Sequence, residues 1–509
     1  MFLEITRFKT KFIICKSIYK YSHLWIIGTI FLLTAKGHIE IADTEYSIRT
    51  ALSIVENGTL LIDPPDPSAI KINFPDSGIA NKIYSPYGIG LSLIFIPIVI
   101  ICKILSLLTQ IELRLLLNFL ISFYNIPFAL LGLFFFQKIV LQLGASKVRS
   151  IFMTFCLGIC TCYWKYTVTD FSEIVQACFL LAIILTLLEK KEYMWYRLSF
   201  YYSILVLLKL TYFVFFPFII IFFITENIKN NNKKILRNFL KSASFFIPTC
   251  ILIALLNFFR FNNIFESGYG SVIKFSTDYL VRDWFAYLFS YERGVLTFNP
   301  ILILTLAGFF YIPAKYRRPM MIIGLTTFIW FITMCLWVSW QGGYCWGNRL
   351  LVPIVPLLLL PMVFLKIDKV WMKILLFLTL FGSMIVQLVG SFTKIHEIIE
   401  IKVRIKELTD QNPDSQLWRA IDLFFLKIKS PNAEYLASSF GVESTEVINL
   451  TSFSTFHGFN LWFVHLLNHI GLNTYSHYAG ILLMLIILAL CFSLFRIFLT
   501  NSRLISEGC

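Results

Sequence analysis

Apolar residues in this chain gather in long runs, such as 22–41, 87–108 and 478–498. A bilayer core about 30 Å thick needs roughly 20 apolar residues in a helix, and the runs have that length. Marked this way, the chain predicts spans at 22–41, 114–137, 150–166, 171–189, 242–260, 298–312, 320–338, 350–365, 374–391 and 478–498. The stretch 198–224 has basic residues on both sides and is predicted to be a tight two-helix hairpin with Lys209 and Thr211 near its tip. The total is about twelve crossings in an all-α polytopic membrane protein.

Lys and Arg collect on the cytoplasmic side of such chains. Here they mark the N-terminus, the Lys147/Arg149 turn, Lys190–Arg197, Lys229–Lys241, Ala314–Arg318, Lys366–Lys373 and the tail after Arg496, which puts both termini inside. The run 87–108 then cannot cross once without inverting everything after it. Broken at Pro97, it is expected to lie along or dip into the outer surface. The outer side receives 42–113, 164–173, 261–297, 339–349 and 392–477. The predicted organisation is a membrane domain over 1–391, a small outer cap at 392–477 and a last span with its tail at 478–509. No repeat of fixed period is visible, which weighs against an inverted-repeat transporter.

Composition agrees with the pattern: of 509 residues, 58% are hydrophobic and 14% charged, with a mean hydropathy of +0.75. Soluble domains carry about 25% charged residues, so a soluble enzyme is excluded. The 44 Lys and Arg against 29 Asp and Glu report topology and not affinity for nucleic acid. Arg7, Lys9, Lys11, Lys16 and Lys20 precede the first run as in a signal peptide, but no small-residue cleavage site follows before Gly37, so a retained span is expected. The cysteines lie mainly in apolar stretches without metal-ligand spacing and read as small hydrophobes.

Acidic residues at the edge of a membrane core are functional candidates by default. Asp43 and Glu45 follow the first span in IADTEYSIRTALSIVENG, where Ile48, Ala51, Leu52 and Val55 have helical spacing and Arg49 shares the helix. Asp43 is also suited to cap that helix. Asp170 and Glu173, in TVTDFSEIVQ, fall at the outer mouth between two spans, where each taken alone reads as a helix cap before it reads as a catalyst. Outer cations break the sidedness pattern, and Arg49, Lys82, Lys274, Arg282, Arg293 and Arg349 all do so. Arg349 lies in WVSWQGGYCWGNRLLVPIVP, where Gly342, Gly343 and Gly347 allow close backbone approach and Trp337, Trp340 and Trp346 supply interfacial aromatic surface. A guanidinium there suits a phosphate. Lys209 either partners an acid or snorkels at its hairpin tip. His465 and His469 sit four apart without a glutamate in the zincin position, so a metal site is not expected. Asn57-Gly58-Thr59 and Asn449-Leu450-Thr451 match the glycosylation sequon.

Taken in order, DTEYSIRTALSIVENG, KIYSPYGIGLSLIFIP, TDFSEIVQACFLLAIIL and WGNRLLVPIVP resemble the GT-C superfamily of polytopic glycosyltransferases, with FNNIFESGYG and YERGVLTFNP similar to its bacterial members. The resemblance covers about residues 22–390. It implies a GT-C-like bundle with interfacial helices in the first outer loop, in a bacterial inner membrane. It also implies a sugar donor linked to polyprenyl phosphate, a hydroxyl acceptor (glycolipid, polysaccharide or protein), and no obligatory cofactor or metal. By motif, Asp43 matches the catalytic acid of the first loop, Glu45 its neighbour, and Asp170 or Glu173 the second acidic site. Arg49, Lys82 and Arg349 would bind the donor phosphate; Tyr84, Tyr87 and Trp346 would contact substrate. The acidic pair is Asp-Thr-Glu and not adjacent Asp-Glu, which leaves open which of the two is the base. Two other readings share the layout: a flippase of lipid-linked sugar, and a polymerase or ligase using polyprenyl-diphosphate glycans.

Overall fold

The computed structural model describes residues 21–62, 83–266, 275–343, 345–399, 415–429 and 458–500. Helices dominate, and among the described residues β-structure is limited to isolated bridges such as Leu61 with Tyr84. Among the described residues seven helical stretches are long and apolar enough to cross a membrane, and 22–34, 300–309 and 349–364 are shorter apolar ones. The difference from twelve full-length spans has a local cause. Several expected crossings are assembled from short pieces; 349–364 is one, a 3₁₀, α and 3₁₀ succession in which Pro353, Pro356 and Pro361 remove backbone donors.

In chain order the helices that build the site are α1 (Ser22–Thr34), α2 (Ala42–Asn57), α3 (Gly90–Thr109), α4 (Leu113–Ile121), α5 (Asn125–Gln142), α6 (Lys147–Ile159), α7 (Tyr163–Thr167), α8 (Glu173–Glu189) and α9 (Met194–Leu208). After a 3₁₀ turn over Leu210–Phe215 come α10 (Phe216–Asn227), α11 (Asn232–Ala243) and α12 (Phe246–Phe261). The later long helices are α13 (Arg317–Cys335), α14 (Val370–Phe392), α15 (Gln416–Lys429) and α16 (Asn473–Thr500).

Helix α2 buries Ile48 and Ala51, positions three apart on one stripe, and ends at Gly58. There φ is +64°, and the amides of Gly58 and Thr59 reach back to the carbonyls of Ile54 and Ser53, a left-handed cap that glycine permits. With Asp43, Glu45, Arg49 and Glu56 along its length, α2 is too polar to cross a bilayer. Helix α3 runs beside it in the same direction: Tyr87, just before α3, meets Asp43 at the start of α2, and Lys103 meets Glu56 near its end at 2.9 Å. The break expected at Pro97 does not occur: α3 continues through Pro97, and it is among the helices long and apolar enough to cross a membrane.

Lys209 separates α9 from the 3₁₀ turn, and the Lys190 ammonium donates to Glu226 Oε1 at 2.7 Å, joining the approach to α9 with the end of α10. The 198–224 stretch thus turns back on itself at Lys209. The core lies around α5, α6, α7 and α8, where Trp164 donates to Thr34 Oγ1 and Tyr163 to the Ala129 carbonyl, so these two buried polar groups have partners.

Candidate active site

Asp43 occupies the first turn of α2, where the exposed amides of a helix start favour a carboxylate. Its Oδ1 accepts the Tyr87 hydroxyl at 2.7 Å and its Oδ2 the Arg349 Nη1 at 3.0 Å. The side chain keeps 31% of its surface exposed. Arg349 arrives from a loop whose Gly342 has φ +69°, and a Cβ there would stand 2.9 Å from Arg349 Cγ. The guanidinium lies over the Phe171 ring, 4.7 Å from its centroid, and its Nε is 4.0 Å from Glu173 Oε1. Glu173 is buried at the start of α8; neither its Oε2 nor Arg349 Nε has a hydrogen-bond partner. One guanidinium thus faces two carboxylates.

Glu45, two residues on, is closed. Its side chain is fully buried, and it accepts Arg49 Nε at 2.7 Å and Arg114 Nη2 at 2.5 Å, which fastens α2 to α4. Arg49, expected at the donor phosphate, is engaged in this clamp.

Asp170 has a different task from the one its motif implied. Its carboxylate accepts the backbone amides of Glu40 at 3.3 Å and Ile41 at 3.0 Å, so it caps the start of α2 from another segment. Asp43 does not perform that capping; the N-cap position is Ile41, which offers no side-chain bond. The Asp170 carbonyl accepts the Thr44 and Tyr124 hydroxyls, and Asn125 Nδ2 holds the carbonyls of Thr169 and Phe171, both at 2.7 Å. Burial, and next the charge of Glu40, push the Asp170 carboxyl up to about 8 against the pull of these amides.

A cavity of about 240 Å³ opens beside Tyr87. Gly90 lets α3 approach α9 so closely that a Cβ would stand 2.8 Å from the Leu207 carbonyl carbon. Its polar wall carries Lys209, Thr211, Asn257 and Arg260; Ile253, Leu256, Phe275 and Trp337 supply the apolar wall. The Thr211 hydroxyl is buried without a partner. Arg260 donates to the carbonyls of Ser85 at 3.0 Å and Tyr87 at 3.1 Å and to Asn257 Oδ1 at 2.8 Å, which fixes the segment before α3. Lys209 lies in the cavity wall, within electrostatic range of Glu173, Asp43 and Arg349.

Of the other expected residues, Tyr84 is buried and pairs with Leu61, and Trp346 is core, packed edge to face on Phe298 at 5.0 Å and not interfacial surface. Arg293 donates to the carbonyls of Gln341 and, at 2.7 Å, Gly343, and Arg282 pairs with Asp283 at 2.7 Å. Lys82, Lys274 and Asn449 lie outside the described residues. Sequence reasoning missed Arg260 and Arg114. An arginine closing the apolar run FFRF was a usable signal, because a cation at the edge of a span asks for a partner. Among the described residues no cluster of three or more metal-ligating side chains occurs.

Comparison with solved structures finds similarity to ArnT from Cupriavidus metallidurans bound to undecaprenyl phosphate, at 10% identity and TM-score 0.45 over 85% of this chain and 75% of that one. It also finds the Archaeoglobus fulgidus oligosaccharyltransferase tethered to an acceptor peptide (11%, TM-score 0.44, 84% and 68%). The same organism's AglB with an inhibitory peptide and a dolichol-phosphate follows (12%, TM-score 0.40, 87% and 56%). These neighbours are GT-C membrane glycosyltransferases. No family model and no curated protein matches the chain.

Proposed function

We propose that this protein is an inverting glycosyltransferase that moves a sugar from a polyprenyl-phosphate donor to a hydroxyl acceptor at the outer face of a bacterial inner membrane. The observation that carries the reading is the Asp43–Arg349–Glu173 cluster, open at Asp43 and bordered by a half-apolar cavity with Lys209 and Arg260 in its wall. Such a cavity suits a phosphate on a lipid tail, and Arg349 presents a forked donor set to the same phosphate. ArnT, with undecaprenyl phosphate in its crystals, is the relevant parallel.

The steps follow from charge. In the resting site Asp43 and Arg349 hold each other. An incoming phosphate competes for the guanidinium and releases Asp43 Oδ2 toward the acceptor. The acceptor hydroxyl gives its proton to Asp43, its oxygen bonds the anomeric carbon, and the bond from that carbon to the phosphate oxygen breaks, with its electron pair leaving on the lipid phosphate. Direct displacement inverts the anomeric centre. Arg349 and Lys209 stabilise the charge gathering on the phosphate, and Tyr87 orients the Asp43 carboxylate. Glu173 keeps Arg349 aimed inward when Asp43 lets go.

The test uses purified protein in nanodiscs with radiolabelled polyprenyl-monophosphate sugars and cell-envelope extract as acceptor. Donor consumption with release of polyprenyl phosphate, lost in Asp43→Asn, is the expected result. Tight donor binding without turnover would favour the flippase; turnover with diphosphate donors alone would favour the polymerase or ligase.

A further inference from the structure

The unit from Lys209 to Phe261 leaves the cavity, turns and returns to it. The 3₁₀ turn and α10 lead away from Lys209, α11 lies between, and α12 runs back to Arg260. Sixteen residues of α12 span about 24 Å, with α11 at one end and Arg260 near the other.

Helix α11, NKKILRNFLKSA, divides its surface cleanly. Leu236, Phe239 and Leu240 form an apolar stripe, and they are 59%, 51% and 60% exposed. Lys233, Lys234, Arg237 and Lys241 share the neighbouring stripe, and Lys229 precedes them. Among the described residues none of these five cations pairs with a carboxylate, although the acids close by are taken: Glu226 accepts both Lys190 and Arg318.

The orientation of the helix is fixed by polar contacts on a third side. Asn238, the buried residue of α11, donates to Asn227 Oδ1 at 2.7 Å, and Asn230 donates to the same oxygen at 2.9 Å. Asn231 caps the helix by accepting the Lys234 amide, and the amides of Phe245 and Phe246 both donate to Ser199 Oγ at 3.1 Å. The phenyl ring of Phe239 meets Phe223 edge on, 6.4 Å between centroids, which leaves its outer face uncovered. The protein thus holds an apolar stripe and a row of cations side by side; none of the cations has a carboxylate partner among the described residues, and Lys241 lies over the Tyr196 ring at 5.5 Å.

We propose that α11 is a docking surface for acidic phospholipids of the leaflet opposite the candidate active site. The apolar stripe enters the acyl boundary while the cations meet the headgroup phosphates, the arrangement by which basic amphipathic helices select anionic lipid. Charge complementarity and the uncovered apolar stripe together specify the occupant: a soluble acidic partner explains the cations alone. The proposal is independent of the glycosyltransferase reading.

The experiment takes the full chain in detergent and adds dioleoylphosphatidylglycerol or dioleoylphosphatidylcholine at equal mole fraction. Retained lipid is read by native mass spectrometry and stability by melting temperature. Wild type is expected to retain phosphatidylglycerol at least about tenfold over phosphatidylcholine, and Lys233→Gln/Arg237→Gln/Lys241→Gln to lose the preference. If that variant does not fold, wild type in 1 M salt provides the same comparison, since screening removes the preference. Equal retention of the two lipids, or a preference unchanged in the variant, overturns the proposal. So does inorganic phosphate that reproduces the melting shift, or RNA or an acidic peptide that binds through the three cations where lipid does not.

Discussion

Two acid–cation groups lie two positions apart on α2, and they differ in closure. Glu45 is fully buried between Arg49 and Arg114, with both oxygens taken by cations. Asp43 is 31% exposed, held by Tyr87 and by Arg349, and Arg349 also faces the half-satisfied Glu173. The first group is a clamp and the second is poised to exchange partners. A buried ion pair is weak evidence for chemistry, because neither charge can leave its partner without a large desolvation penalty. A carboxylate at the mouth, sharing one cation with a second acid, can change partners when an anion arrives.

The contrast breaks most directly at Asp43. Asp43→Asn keeps the shape and removes the base, and turnover is expected to fall about 10²–10⁴-fold while the melting temperature stays near wild type. Near-normal turnover would reject Asp43 as the base. Glu45→Gln tests the other side: it leaves two cations facing a neutral amide, and a loss of about 3–5 kcal/mol of stability is expected, read as a large drop in melting temperature. A stable but inactive Glu45→Gln protein would reverse the two assignments.

Asp170 sharpens the comparison from behind. With its carboxyl raised to about 8 against an ordinary value near 3.9, the folded protein holds a proton that the unfolded chain has released between those limits. Folding stability from this group therefore falls as pH rises from about 4 to 8. Asp170→Asn should flatten that slope in melting curves taken across the range; an unchanged slope would assign it to other groups. Tyr87→Phe has the smallest expected effect: loss of one hydrogen bond to Asp43, worth about 0.5–1.5 kcal/mol, lowers turnover about two- to tenfold with donor affinity preserved. A larger loss of donor affinity would place Tyr87 at the phosphate.

Much of this was legible in the chain. The apolar runs mark helices long and apolar enough to cross a membrane. The parity of the basic loops laid 87–108 along the outer surface with a break at Pro97, whereas α3 is one unbroken helix of crossing length beside α2. Asp43, Arg349 and Glu173 were singled out and do meet. Asp170 was read as a helix cap or a catalyst; it holds the amides at the start of α2, and not those of α8, which its motif precedes. Trp346 sits in an aromatic loop that reads as interfacial, yet the loop folds inward, and the indole packs in the core. Arg260 was passed over because a single cation at the end of an apolar run looks like a boundary marker.

The sequence by itself determined that this is an all-α multi-pass membrane chain, with acids at the ends of its spans and cations where they need a reason. Those properties are local: run length, loop charge and helical spacing are set by neighbouring residues and the bilayer. Only the tertiary structure decided which acid is open and which is a clamp or a cap. Asp43 meets Arg349 across 306 positions and Asp170 reaches Ile41 across 129. Packing of α2 against α3, α4 and the 168–172 loop decides how much water each carboxylate keeps, and no periodicity in the chain encodes that distance.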